Sequence, residues 1–430
     1  GAYPEWELGL QIFSEAEAEK FSFDVLDATK LVPEELVPVV PVGRMVLNRN
    51  PDNFFAETEQ VAFCVAHVVP GIDFSNDPLL AGRIHSYVDT QISRLGGANF
   101  HELPINAPLA PVHNNQRDGM HRQTIARGRV AYEPNSLAGG CPFQAGAAAG
   151  FVSFPEQRST DDHKVRGSAE RFAEHYAQAT LFWCSQTEVE KRHIIAAFRF
   201  ELSKVQVKAI RVRMVSGLMN VAPELAEAVA RGLGIDEMPA PMPKALPGGV
   251  KAEVKQSPSL SLTARPGDGS IRARKVAILV ADGCVAPPLA ALARRLIAEG
   301  AEPKFVGLTL ATVRPATGDP IAVDASIETS PAVLFDGMVL ADGDEAVSRL
   351  QADGRIIEFI KDQYRHCKTI LALGKAEQVL AACRIDRALP DGGLDPGLIL
   401  AKSSLDAGDA FVTALGQHRH FARETDPPRV

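Results

Sequence analysis

Arg83 and Tyr87 stand four residues apart in a segment with helical spacing, so their side chains share one face. A guanidinium placed beside a phenol favours the phenolate, because an opposite charge stabilises the ionised form. That pair could hold an anionic oxygen for metal ligation, or it could be a buried tyrosine hydrogen-bonded to arginine; spacing alone leaves both open. The element that must position the pair is well bounded. Asp77 is an N-cap, Pro78 suits the first helical position, and Leu80, Ile84, Tyr87, Val88, Ile92 and Leu95 recur at helical spacing before Gly96-Gly97 ends the run. The spacing therefore predicts a helix over 78–95.

The chain around it has 430 residues, 46% apolar and 23% charged, which is globular composition, and its length suggests about two to four domains. A formal charge of −8 with no basic cluster argues against nucleic acid as a partner. No window approaches the roughly 20 continuous apolar residues of a membrane span. The six cysteines (64, 141, 184, 284, 367 and 383) form no C-x-x-C pair, so neither a zinc ribbon nor a disulfide framework is indicated, and a reducing, cytoplasmic setting is the expectation. The first ten residues have no Met, no basic start and no apolar core, and read as a processed or truncated end.

Residues 1–165 are rich in Pro, Asn and Gly, contain the one clear helix 78–95, and read as wrapping loops around another body. Residues 166–237 read as a helical subdomain, with a capping box at Thr187 and Glu190 and a further helix opening at Pro223. A Pro- and Gly-rich stretch, 238–273, reads as a linker. From 274 to 430, apolar runs (Val276–Ala281, Phe305–Leu308, Met338–Ala341, Thr369–Leu373) alternate with amphipathic helices (Leu289–Glu299, Arg355–His366), which predicts an α/β domain with a parallel sheet.

The run Arg83-Ile84-His85-Ser86-Tyr87-Val88-Asp89-Thr90 resembles the proximal-ligand motif of haem catalases, Arg-x-x-x-Tyr-x-Asp-Thr. Four further segments keep the family's order. They are Val42-Gly43-Arg44 through Glu57, Val69-Pro70-Gly71-Ile72, Asn114-x-Gln116-Arg117-Asp118-Gly119, and Tyr132-Glu133-Pro134-Asn135-Ser136. The linker and α/β domain are similar to the extension of large-subunit catalases, so the resemblance covers the whole chain. It implies an α+β catalase core part (barrel remainder, wrapping loops, proximal-ligand helix) with a helical subdomain, followed by a flavodoxin-like α/β domain. It also implies disproportionation of hydrogen peroxide at haem, of b or modified d type, with Tyr87 as axial and metal ligand. Tyrosinate is the ligand already known for haem catalases. Arg83 would be its partner and Arg94, two turns beyond Tyr87, a propionate contact. His85 departs from the aromatic residue many relatives carry and reads as packing or surface polarity.

The family's distal His and Asn belong to motifs that come earlier in its order than any of these five segments. His67, His101, His113 and His121 sit in other contexts, so none is assigned as the acid/base, and the chain reads as the larger, C-terminal part of a catalase supplying the proximal side. Expected partners are hydrogen peroxide, the N-terminal part of the same catalase and copies of this chain in a homotetramer; NADPH is not expected. The alternative is an inactive or chaperone-like fragment with a DJ-1-like domain. That domain resembles class I glutamine amidotransferases and DJ-1 proteins, whose nucleophile sits on a strand-to-helix elbow. The elbow is expected at Leu371-Ala372-Leu373-Gly374-Lys375, with the nucleophile's place at Ala372 and no hydrolase activity. Finally, the resemblance implies a candidate covalent link from Cys64, 23 residues before Tyr87, to the axial tyrosine. A small buried free thiol is the alternative fate of that cysteine.

Overall fold

The structure is a computed structural model that describes residues 3–69, 72–110, 117–145, 170–246, 248–264, 267–402 and 404–430, the side chains of 404–406 excepted. Pro70, Gly71, His113, Asn114, Gln116 and the expected boundary at 165 lie outside the described residues. The chain forms two compact units, one within Glu5–Ser261 and one built on Leu262–Val430.

In the first unit, strands β1 (Glu5–Leu10) and β2 (Val40–Val46) pair antiparallel, with helix α1 (Glu15–Ala18) between them. This is the whole sheet content of the expected barrel remainder among the described residues, and both of its faces are exposed, including Trp6, Leu8, Val40 and Val42. Helix α2 (Pro78–Leu95) has the predicted bounds. The Asp77 carboxylate accepts from the Leu79 N–H at 2.8 Å, and Gly96 at φ +80° closes the last turn. Its apolar stripe is not a core face, however, for Gln91 is its one buried residue.

Helices α3 (Ala177–Ser185), α4 (Glu188–Ser203), α5 (Lys208–Leu218) and α6 (Pro223–Gly232) bury Trp183, Leu202, Val215, Leu225 and Val229 against one another. The Thr187–Glu190 capping box opens α4, and the Trp183 indole N–H donates to Glu224 at 2.7 Å. Met242, Ser257 and Leu260, within the stretch read as linker, are tied down on these helices. Met242 N–H donates to Ser216 O, Ser257 N–H to Ser185 Oγ, and Gln186 Nε2 to Leu260 O. Chain polarity and proline content resemble a linker because this strip forms its bonds irregularly, without a period.

The second unit contains β3 (Lys275–Val280), α7 (Ala286–Ala298), β4 (Glu302–Gly307), β5 (Ala325–Ser326), β6 (Gly337–Leu340), α8 (Asp344–Ala352), α9 (Gly354–Arg365), β7 (Thr369–Leu373), α10 (Glu377–Ala382), β8 (Leu398–Ala401) and α11 (Ser404–Gly416). The strands form one parallel sheet in the order β5-β4-β3-β6-β7-β8. Val276–Val280 are fully buried because helices cover both faces, which is why the central strands read as continuous apolar runs.

The C-terminal segment is held by a buried polar cluster. Arg423 Nε donates to Asp395 Oδ2 at 2.5 Å with both side chains inaccessible, and its guanidinium lies 4.8 Å from the Tyr364 ring centroid. Next to it His420 Nε2 is 3.0 Å from Thr369 Oγ1. Burial, then the Arg423 charge, pushes the His420 imidazole down to about 4 from its ordinary value of 6.5. His420 is therefore neutral in the fold, and its stabilisation is complete above pH 6.5 and lost as pH falls through about 4, since the unfolded chain takes up the proton first. Acid melts of the chain between pH 7 and 4 should lose up to about 3 kcal/mol through this group, and His420→Asn should flatten that limb; an unchanged slope would refute the assignment.

Candidate haem-ligand site

Helix α2 carries Arg83, Tyr87, Gln91 and Arg94 at offsets of four, four and three, so all four project from one stripe. Arg83 and Tyr87 are half-buried. Arg83 Nη2 donates to the Tyr87 phenol oxygen at 3.4 Å, and the guanidinium carbon lies 5.1 Å from the ring centroid. The structure thus brings the expected pair together. His85 is exposed, pointing away from the stripe as its offset of two requires.

Facing this stripe is the segment 55–67, a π-turn (Phe55–Glu59) followed by irregular chain. Glu57 opens it by accepting from the Asn53 and Asp52 N–H groups at 3.0 and 2.7 Å and from Arg49; these bonds hold its carboxyl below the usual range. Asn106 clasps the middle, accepting from Ala62 N–H at 2.8 Å and donating to Gln60 O at 2.9 Å. The Phe63 ring then meets the Tyr87 ring edge to face, 5.6 Å between centroids. Cys64, half-buried, is the next residue.

Arg94 is bonded within the protein. Its guanidinium donates to Glu59 O at 2.6 Å, to Val61 O, and from Nη2 to Gln91 Oε1 at 3.0 Å. These bonds fasten the 59–61 turn to helix α2. Buried Gln91 completes the clamp, its Nε2 donating to Phe63 O at 3.3 Å. Sequence reasoning passed over Gln91 and Phe63. The available signal was Gln91 at i+4 from Tyr87, a polar residue where the apolar stripe should continue.

His67 stacks near Phe100 and lies 5.7 Å from His101, ring to ring. Burial, then His67, lowers the His101 imidazole from its ordinary value, with Glu102 opposing. No group of three or more His, Cys, Asp or Glu side chains suited to a metal ion occurs among the described residues. No helix among them is long and apolar enough to cross a membrane.

A half-buried tyrosine whose phenol oxygen is backed by a guanidinium, with an aromatic ring packed against the phenol, is a donor set that fits a tyrosinate-ligated haem. The sequence pattern of the catalase family matches residues 1–139, that described as catalase-related immune-responsive matches 169–233, and that of the C-terminal domain found in long catalases matches 272–425. The chain is thus similar, in order along its length, to a catalase core and to the C-terminal domain found in long catalases. It is 48% identical to Catalase HPII of Pseudomonas putida and 48% identical to Catalase HPII of Pseudomonas aeruginosa, over 99% of this chain and 58% of each relative. Catalase-B of Dictyostelium discoideum is 42% identical over 100% of this chain and 61% of that protein. The chain therefore spans about three-fifths of the length of these relatives.

The clamp gives a direct test. In Arg94→Ala, amide exchange across 59–63 should quicken about tenfold, the worth of roughly 1.4 kcal/mol in lost hydrogen bonds, while 82–88 in the middle of α2 stays protected. Equal exchange in parent and variant would show that the turn stands without the guanidinium.

Proposed function

We propose that this chain supplies the proximal side of a haem catalase, hydrogen-peroxide:hydrogen-peroxide oxidoreductase, which disproportionates hydrogen peroxide to water and dioxygen. The observation that supports this most is the Arg83–Tyr87 pair on a helix whose sequence carries the family's ligand motif. Tyr87 would hold the haem iron through its phenol oxygen. When bound, haem supplies the two-electron exchange with peroxide, which no side chain here can perform alone. Arg83 steadies negative charge on the Tyr87 oxygen. Phe63 limits rotation of the phenol ring, and Gln91 and Arg94 hold the turn that carries Phe63. The distal proton transfer that the family's chemistry needs is not assigned to any histidine of this chain.

Finer readings rest on the same resemblance. Without the two-residue strand β5, the sheet order follows the flavodoxin-like sequence 2-1-3-4-5, which supports that class for the second unit. Exposed apolar side chains such as Val42, Phe54 and Phe55 favour assembly, and a homotetramer is the proposed form. All six cysteines are free, which favours a reducing, cytoplasmic compartment. Haem b or a d-type haem would serve equally at this donor set.

Tyr87→Phe keeps the ring and removes the ligating oxygen. Haem content by pyridine haemochrome should fall severalfold, and peroxide turnover with it; normal haem retention would sink the ligand assignment. Arg83→Ala should retain part of the haem, with a shifted absorption spectrum.

Cys64 follows the residue that touches Tyr87, which favours the covalent link from its sulfur to the tyrosine Cβ. The thiol S–H and one Cβ–H are lost as the C–S bond forms, and the two electrons and two protons pass to one hydrogen peroxide, which leaves as two waters. Tryptic mass spectrometry of haem-loaded protein exposed to peroxide should show the two peptides joined and two hydrogens lighter than their sum. Complete alkylation of Cys64 in that material would exclude the bond.

A further inference from the structure

We propose that the turn leaving β7 is an oxyanion-binding elbow occupied by the chain's own Asp342 carboxylate, and that a small carboxylate can bind there when Asp342 is removed. The inference concerns the second unit alone and stands apart from the haem reading. Strands β6 and β7 are neighbours and parallel, with Leu340 opposite Ala372, so their carboxyl ends lie side by side. Asp342 follows one and Gly374 the other. Ala372, the expected nucleophile position, is buried inside β7 and pairs with both neighbouring strands. The residue that turns the chain is Gly374, at φ +52°, between β7 and the single turn Gly374–Ala376 that leads into α10.

A nucleophile elbow places its reactive residue on a strained strand-to-helix turn. The N–H of the following residue, together with one N–H from another strand's loop, then receives the oxyanion. Here the following residue is Lys375, and its N–H donates to Asp342 Oδ1 at 2.8 Å. Gly343 N–H, from the loop after β6, donates to the same oxygen at 2.8 Å. Both lengths match an oxyanion hole's donors. A Cβ built on Gly374 would lie 2.1 Å from Asp342 Oδ2 and 2.2 Å from its Cγ. The carboxylate therefore takes both the two N–H groups and the volume a nucleophile's side chain would need. That accounts for an elbow without a nucleophile, and it makes Asp342 a built-in ligand of carboxylate chemistry.

The test uses the full chain and sodium acetate, with sodium chloride at equal ionic strength as control. Asp342→Ala should lower the melting temperature of the second unit by about 4 °C and speed exchange of the Gly343 and Lys375 amides about tenfold. Acetate should reverse both effects in the variant and leave the parent chain unchanged. Asp342→Asn keeps the shape and one acceptor oxygen, so it should fold, exchange Lys375 N–H a few times faster than the parent, and ignore acetate. Acetate acting alike on parent and Asp342→Ala, or Lys375 exchange unaltered in Asp342→Asn, would reduce the feature to a local turn and overturn the proposal.

Discussion

Everything near the tyrosine depends on the bond between the last turn of α2 and the backbone of 59–63. That segment is irregular, so its carbonyls have no ladder to bond to, and exposed carbonyls would otherwise face water. Arg94 and Gln91 take Glu59 O, Val61 O and Phe63 O onto one rigid helix. Once those oxygens are fixed, the Phe63 ring has one place to go, against Tyr87, and Cys64 comes with it. A guanidinium suits this task better than an ammonium, because its planar fork presents several donors at once with little further loss of freedom.

The second unit is governed by a different constraint. Parallel strands expose their carboxyl ends on one edge, where the loops must make a sharp turn into helices, and α/β folds place ligand sites there. In this unit the edge is closed by its own side chains: Asp342 takes the N–H groups of Gly343 and Lys375, and Lys375 Nζ pairs with Asp344 at 2.5 Å. The cysteines nearest to that chemistry by sequence are inert. Cys367 and Cys383 are buried, and burial pushes both thiols up to about 11.

Helix α2 is readable from its letters because its signals are local: an Asp cap, a proline at the first position and a glycine at the end act within a few residues. The Arg83–Tyr87 pair is readable for the same reason, being set by helical offset alone. Strands β3, β6 and β7 are also plain, since full burial writes an apolar run. The features that sequence does not reveal depend on distant chain. The backbone oxygens that Arg94 takes, Glu59 O and Val61 O, lie 35 and 33 residues away in the chain, so its helical offset alone does not reveal them. The elbow turns at Gly374, two residues beyond its expected place at Ala372, because a glycine after a strand has no pattern of its own and its positive φ is a property of the turn.

These two units thus arrange polar groups in opposite ways, and the difference bears on what each can do. In the first, among the described residues, the phenol oxygen of Tyr87 has one long contact, 3.4 Å from Arg83, leaving lone-pair capacity for a metal. Its neighbours are restrained by bonds that do not touch that oxygen, so the ligand can be strongly held in place and still be chemically available. In the second, the corresponding anion-binding groups are already satisfied by a carboxylate carried on the next strand. A site remains open to chemistry when its scaffold is bonded through other atoms than the reactive one; where the scaffold's own oxygen completes the site, the same geometry contributes stability instead.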